Sequence, residues 1–251
     1  MIVSQYFVTI DDYIKLECVC KKYKCNMARF HFNPIQINKK TIKYFPNIKT
    51  LNLWSFDDEN FGNNLIIPFP EEKIVFFKIN IWFRVGCSVA ELHENTNISF
   101  KNIIYLKKER KLGIEMSKNT NELASNCFQD SKKVVLQIPN SVTSIENCCF
   151  MCCKLLTSIT LSNNLQSIGD SCFEQCTSLV NINIPKRVNK FGVQSFDHCL
   201  SLKKITIPHL IKEIPEKCFY QCASLKIVLP NTPILLKDQC FDGCKHVVYQ
   251  K

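Results

Sequence analysis

The residues with the most scope for chemistry are the cysteines. There are sixteen, and twelve lie between Cys127 and Cys244 at fixed spacing. Cys149-Phe150 is followed by Cys153 and Leu156, Cys172-Phe173 by Cys176 and Leu179, and Cys218-Phe219 by Cys222 and Leu225. Ser195-Phe196 with Cys199 and Leu202 keeps the frame with one Cys changed to Ser. Cys240-Phe241 with Cys244 and Val247 closes the series, and Cys127-Phe128 with Ser131 opens it. Thiols at such spacing could bind zinc, pair as disulfides, or fill tight apolar positions. Cys149-x-x-Cys152, flanked by Cys148 and Cys153, has the ligand spacing of a zinc site. A catalytic thiol would need a histidine positioned in space; His198 is merely the sequence neighbour of Cys199. The other histidines, His31, His93, His209 and His246, are scattered and form no ligand or triad pattern.

The elements that carry these cysteines repeat with them. Phe150, Phe173, Phe196 and Phe219 are each 23 residues apart. Leu136-x-Ile138-Pro139, Ile159-x-Leu161-Ser162, Ile182-x-Ile184-Pro185, Ile205-x-Ile207-Pro208 and Ile227-x-Leu229-Pro230 share one register. Val142-x-x-Ile145, Leu165-x-x-Ile168, Val188-x-x-Phe191 and Ile211-x-x-Ile214 share another. A fixed period in this range marks a solenoid. The I-x-I pieces alternate apolar and polar and predict short half-buried strands. The proline after them cannot donate to a ladder and ends the strand. Turn chemistry follows at Gly169-Asp170, Gly192-Val193 and Pro215-Glu216. C-F-x-x-C-x-x-L then puts apolar side chains at i, i+1, i+4 and i+7, the spacing of one or two helical turns with a single buried face. One unit cannot bury that face alone, so neighbours must stack, like residue above like. At a strand spacing of about 4.8 Å, five to six units make a slab roughly 25 Å long.

The period bears on the thiols. As small buried hydrophobes they would fill a tight interior slot, and Ser195 in the same slot fits this. As disulfides they would join like residues one rung apart, whose Cα separation near 5 Å is within range, although nothing in the sequence marks an oxidising compartment. Against zinc, Cys149 and Cys153 are already claimed by the repeat register.

The pattern I-P-x-x-V-x-x-I-x-x-x-C-F-x-x-C-x-x-L-x-x-I-x-I resembles the BspA-like leucine-rich repeats, in which Ala-Phe usually stands where this chain has Cys-Phe. The resemblance covers residues 119–251. It implies a leucine-rich-repeat solenoid of short β-strands and short helical turns that contacts another protein, often as a surface or adhesion protein. It implies no catalytic residue and no cofactor.

The rest of the chain divides into residues 1–32 and 33–118. Residues 4–30 are predicted to be helical, with Asp11-Asp12 at the N-terminal end and Ile14, Leu16, Val19, Tyr23, Met27 and Phe30 three to four apart. Asp12-Tyr13-Ile14-Lys15-Leu16-Glu17-Cys18-Val19-Cys20-Lys21-Lys22-Tyr23 is similar to the second half of an F-box, whose helix often reads L-x-x-V-C-K-x-W/F, without the opening Leu-Pro. The segment is expected to cap the solenoid. Docking a ligase core, as in a ubiquitin-ligase substrate receptor, is the alternative. Pro46-Asn47-Ile48-x-x-Leu51-x-Leu53 has a leucine-rich-repeat cadence and predicts a divergent first repeat. Ile74 to Val85 reads as a long strand, apolar on both faces and hence covered on both, and Ile98 to Tyr105 as another; their period is not 23, which leaves degenerate repeats or a small β insert.

A hydrophobic content of 46% predicts a globular chain. The net charge of +10 is shared equally by two halves divided at residue 126. No nucleic-acid motif accompanies it, so nucleic acid is not the expected partner. There is no signal-like N-terminus, no apolar run near the ~20 residues of a membrane span and no lipidation motif. The default location is therefore the cytoplasm, while the family resemblance points to the cell surface. The expected working surface is a ladder of outward side chains in the repeats: Thr160, Asn183 and Thr206 on the first strand, and Asn189, Lys190, Lys212 and Glu213 on the second.

Overall fold

A computed structural model describes residues 6–19, 21–65, 73–229 and 233–249. The chain falls into two compact units, Met1–Val85 with Val89–Asn102, and Gly86–Ser88 with Ile103–Lys251.

In the first unit, helix α1 (Ile10–Val19) opens on a reciprocal cap. The Asp12 carboxylate accepts from the Thr9 N–H at 2.9 Å and the Thr9 hydroxyl at 2.8 Å, and the Thr9 hydroxyl in turn accepts from the Asp12 N–H at 3.4 Å. These bonds, the Thr9 backbone first, hold the Asp12 carboxyl below its ordinary pKa. The helix is shorter than the sequence predicts. Two single 3-10 turns, Lys21–Tyr23 and Met27–Arg29, follow it. Cys25 between them has φ +62°, a left-handed conformation that no α-helix continues through. Tyr13 is fully buried among Phe7, Phe30 and Phe45, whose rings meet it edge-on at 76–89°. Strand β1 (Thr50–Leu53) pairs in parallel with β2 (Lys78–Gly86), Leu51 beside Ile79 and Leu53 beside Ile81, all four buried. β2 is not covered on both faces as its composition suggests. Strand alternation puts Ile79, Ile81 and Val85 inside but turns Lys78, Trp82 and Arg84 to solvent, and Val75 and Phe77 just before the strand are exposed. Helix α2 (Cys87–Leu92) and strand β3 (Ile98–Tyr105) follow.

The second unit is a parallel solenoid. Helix α3 (Lys107–Lys111) carries Glu109, whose buried carboxylate accepts from the Ser88 N–H (2.8 Å), the Ser88 hydroxyl (2.9 Å) and the Leu106 N–H (2.9 Å). It is thus a satisfied structural group. From here odd- and even-numbered strands form separate sheets. The odd sheet runs β5 (Val135–Gln137), β7 (Ser158–Thr160), β9 (Asn181–Ile182), β11 (Lys204–Thr206), β13 (Lys226–Leu229) and β15 (His246–Tyr249). The even strands β4 (Glu122–Leu123), β6 (Ser144–Ile145), β8 (Ser167–Ile168) and β10 (Lys190–Phe191) stack in the same way, and β12 (Glu213–Ile214) pairs with β14 (Leu235–Leu236). Ile104 and Tyr105 at the end of β3 pair with β4. From β4 to β15 the paired strands run parallel and in register, so each rung lies on its homologue as the period requires.

Between the sheets runs a column of aromatic rings. Tyr105, Phe128, Phe150, Phe173, Phe196, Phe219 and Phe241 stack with centroids 5.0–5.5 Å apart, and from Phe150 to Phe241 the rings are within 9° of parallel. This centroid separation lies within the favourable range for offset stacks and follows from the strand spacing.

The C-F-x-x-C segments close i→i−3 turns but do not continue as helix. Alternate N–H groups leave the rung instead: Ser171, Phe173 and Gln175 donate to the carbonyls of Val193, Ser195 and Asp197 at 2.7–2.8 Å. Two left-handed residues per rung, four apart, make this possible: Cys148 and Cys152, Ser171 and Gln175, Gln194 and His198, Lys217 and Gln221. The turn is therefore a third hydrogen-bonded ladder that satisfies backbone groups which would otherwise be buried without partners. Gly192 sits where it does because the rungs touch: a Cβ there would lie 2.3 Å from the Asp170 nitrogen.

Candidate functional site

The two cysteine slots do different jobs. In the second slot the thiol donates to the carbonyl of the phenylalanine one rung back. Cys153 reaches Phe128 O at 3.1 Å, Cys176 Phe150 O at 3.2 Å, Cys199 Phe173 O at 3.1 Å, Cys222 Phe196 O at 3.1 Å and Cys244 Phe219 O at 3.2 Å. An alanine would fill part of this space and make no such bond. In the first slot side chains meet their own kind: Cys127 Sγ lies 3.3 Å from Cys149 Sγ, and the Ser195 hydroxyl 3.2 Å from Cys218 Sγ. Fifteen cysteines are free thiols, two of them, Cys18 and Cys25, exposed; Cys20 lies outside the described residues. Burial pushes the Cys172, Cys199 and Cys218 thiols well above their ordinary pKa, and that of Cys244 up to about 12. A protonated buried thiol is a poor nucleophile and a poor metal ligand.

Among the described residues, no three His, Cys, Asp or Glu side chains converge as a metal site. His198 Nδ1 contacts Asp197 Oδ1 at 2.5 Å, while the Cys199 thiol points to Phe173 O, so the adjacent His and Cys do not form a dyad.

All seven residues expected to form the working surface are exposed, but on two separate surfaces. Thr160 and Thr206 lie on the outward face of the odd sheet, with Asn183 directly after β9. Lys190 and Glu213 lie on β10 and β12, preceded by Asn189 and Lys212. The odd sheet keeps six strands in unbroken order, whereas β12 and β14 form a sheet of their own beyond β10. Sequence reasoning missed the basic residues of the odd sheet. Lys204 and Lys226 are in direct register, as are Lys226 and His246. Lys203, Lys204, Thr206, Lys226 and Val228 line a hollow there. Their spacing was the available signal, since Lys204, Lys226 and His246 recur at nearly the repeat period.

Among the described residues, no helix is long and apolar enough to cross a membrane. A family profile described as "BspA type Leucine rich repeat region" matches six copies over residues 121–248. No curated protein matches. Solved structures similar to the chain include a leucine-rich repeat protein of T. pallidum, at 28% identity over 51% of this chain and 63% of that one, with a TM-score of 0.47. Another is a leucine-rich cell surface protein of Faecalibacterium prausnitzii, at 15% identity over 82% of this chain and 52% of that one, TM-score 0.43. A third is a leucine-rich repeat protein of Eubacterium ventriosum, at 17% identity over 90% and 74%, TM-score 0.39. The chain spans less than two thirds of the length of the first two.

Proposed function

The chain belongs to the BspA-type leucine-rich-repeat family, and on that premise we propose that it is a non-catalytic scaffold that holds another protein against the outward face of its odd-numbered strands. The observation that carries this reading is the continuity of that face. Six parallel strands present their outward side chains in unbroken register, with Thr160, Asn183 and Thr206 at corresponding positions. Repeat proteins bind on such extended ladders. The shorter ladder of Asn189, Lys190, Lys212 and Glu213 is divided between two sheets and offers less continuous area.

A photo-crosslinking side chain placed singly at Thr160, Thr206 or Lys190 tests this in native extract. Protein adducts from Thr160 and Thr206, absent from Lys190, are expected. Adducts from Lys190 alone, or from none of the three, would overturn the assignment. We propose a reducing compartment, because Cys127 and Cys149, whose Sγ atoms lie 3.3 Å apart, are free thiols, as are the other described cysteines. Treating intact cells with a membrane-impermeant amine reagent tests it: protection until lysis agrees, whereas labelling would place the protein at the cell surface.

A further inference from the structure

We propose that the partner docks on β11, β13 and β15 through an extended acidic segment in which carboxylates alternate with aliphatic residues. This rests on the scaffold reading above and names the chemistry of the partner. Lys204 and Lys226 stand directly opposite one another across adjacent strands, with His246 next in the same register, all exposed. Strands lie about 4.8 Å apart, and like charges directly opposite one another destabilise a sheet. Among the described residues no carboxylate offsets them. The outward positions of the six strands contain no Asp or Glu, and none of the ion pairs among the described residues involves Lys203, Lys204 or Lys226. An anion seated over the column removes that repulsion, so binding gains what the free protein forgoes.

The adjoining column is apolar. Val228 is in register with Thr206 on one side and Val248 on the other, and the two valines are 55% and 53% exposed. A cationic column beside an aliphatic one matches an extended peptide crossing the rungs, because alternate side chains of a strand point to opposite sides. Its acidic side chains would face the lysines and its aliphatic ones the valines. Single-stranded nucleic acid would use aromatic side chains on which to stack its bases, and Val228 and Val248 offer none.

Fluorescence anisotropy with a labelled (Glu-Val)4 peptide and the full chain tests the proposal. Binding is expected for (Glu-Val)4 and not for (Gln-Val)4, weakening as salt is raised. The Lys204→Gln/Lys226→Gln double variant should lose affinity tenfold or more. Lys190→Gln/Lys212→Gln makes the same change in net charge on the other ladder and should bind within about twofold of the parent. Equal losses in both double variants would reduce the effect to net charge and overturn the proposal. Tighter binding of a 20-nucleotide single-stranded DNA through Lys204 and Lys226 would also overturn it, in favour of a nucleic-acid surface. If the peptide fails to bind while Thr206 still crosslinks a protein, this inference falls and the scaffold reading stands. If Thr160 and Thr206 yield no adduct although the peptide binds through these lysines, the scaffold reading falls instead.

Discussion

The two units solve the same packing problem differently. Around Tyr13 in the first unit, rings meet edge-on at 76–89°. In the second, from Phe150 to Phe241, they stack within 9° of parallel. The difference lies in the sequence. Phe7, Tyr13, Phe30 and Phe45 have no common spacing, so each finds its own geometry, and edge-to-face contact suits the ring quadrupole. The phenylalanines of the repeat are separated by one period and cannot avoid lying above one another. Periodicity thus couples each rung to its neighbours, whereas the cluster couples only its own members.

The largest test of this contrast pairs Phe173→Ala with Phe45→Ala. Each deletes a buried ring and should cost about 3–5 kcal/mol in chemical denaturation. Only Phe173→Ala should also speed amide exchange in the rungs centred on Phe150 and Phe196, because solenoid stability is a sum of neighbour terms. Equal spread in both variants would erase the distinction. Next is Gly192→Ala, which puts a methyl group against the Asp170 backbone and should cost about 1–3 kcal/mol. A neutral result would mean the rungs can separate there at no cost.

The thiols distinguish the units by pH. Cys172 and Cys218 are buried with raised pKa, while an unfolded cysteine ionises near ~8.5. Above that pH the folded unit holds more protons than the unfolded chain. Stability is therefore complete below it and falls as pH rises, by roughly 1.4 kcal/mol per pH unit for each such thiol. Denaturation at pH 8 and pH 10 measures the slope, and a flat profile would contradict burial. The smallest effect is Cys199→Ala, at about 1 kcal/mol. Phe173 O loses the Cys199 thiol but keeps the Cys176 N–H at 3.1 Å.

Where the period was written plainly, the sequence was legible: strands, register, the ring column and the buried cysteine slots follow from the spacing. Tyr105 stands 23 residues before Phe128 and heads the column, a phase that an eye fixed on Cys-Phe passes over. The turn ladder and a helix share i, i+1, i+4, i+7 burial, so the spacing predicts helix; which N–H groups leave the rung is decided by φ at Ser171 and Gln175, and sequence spacing does not specify it. In the first unit the end of α1 and the open face of β2 depend on non-repeating contacts, so composition misled at both. On the surface, polar ladders were visible; the Lys204–Lys226 pairing was available in the same spacing, but exposed lysines carry no apolar pattern to single them out.

Hydrogen exchange resolved by residue is the most direct test of the claim that each rung is held by the next. The Ser171, Phe173 and Gln175 amides sit in turns at the edge of a rung but donate to the following one. They should exchange together and as slowly as the Ile182 and Ile205 strand amides. Exchange at the rate of exposed turns, with only the strands protected, would contradict the third ladder and with it the stacked-rung explanation of the fold.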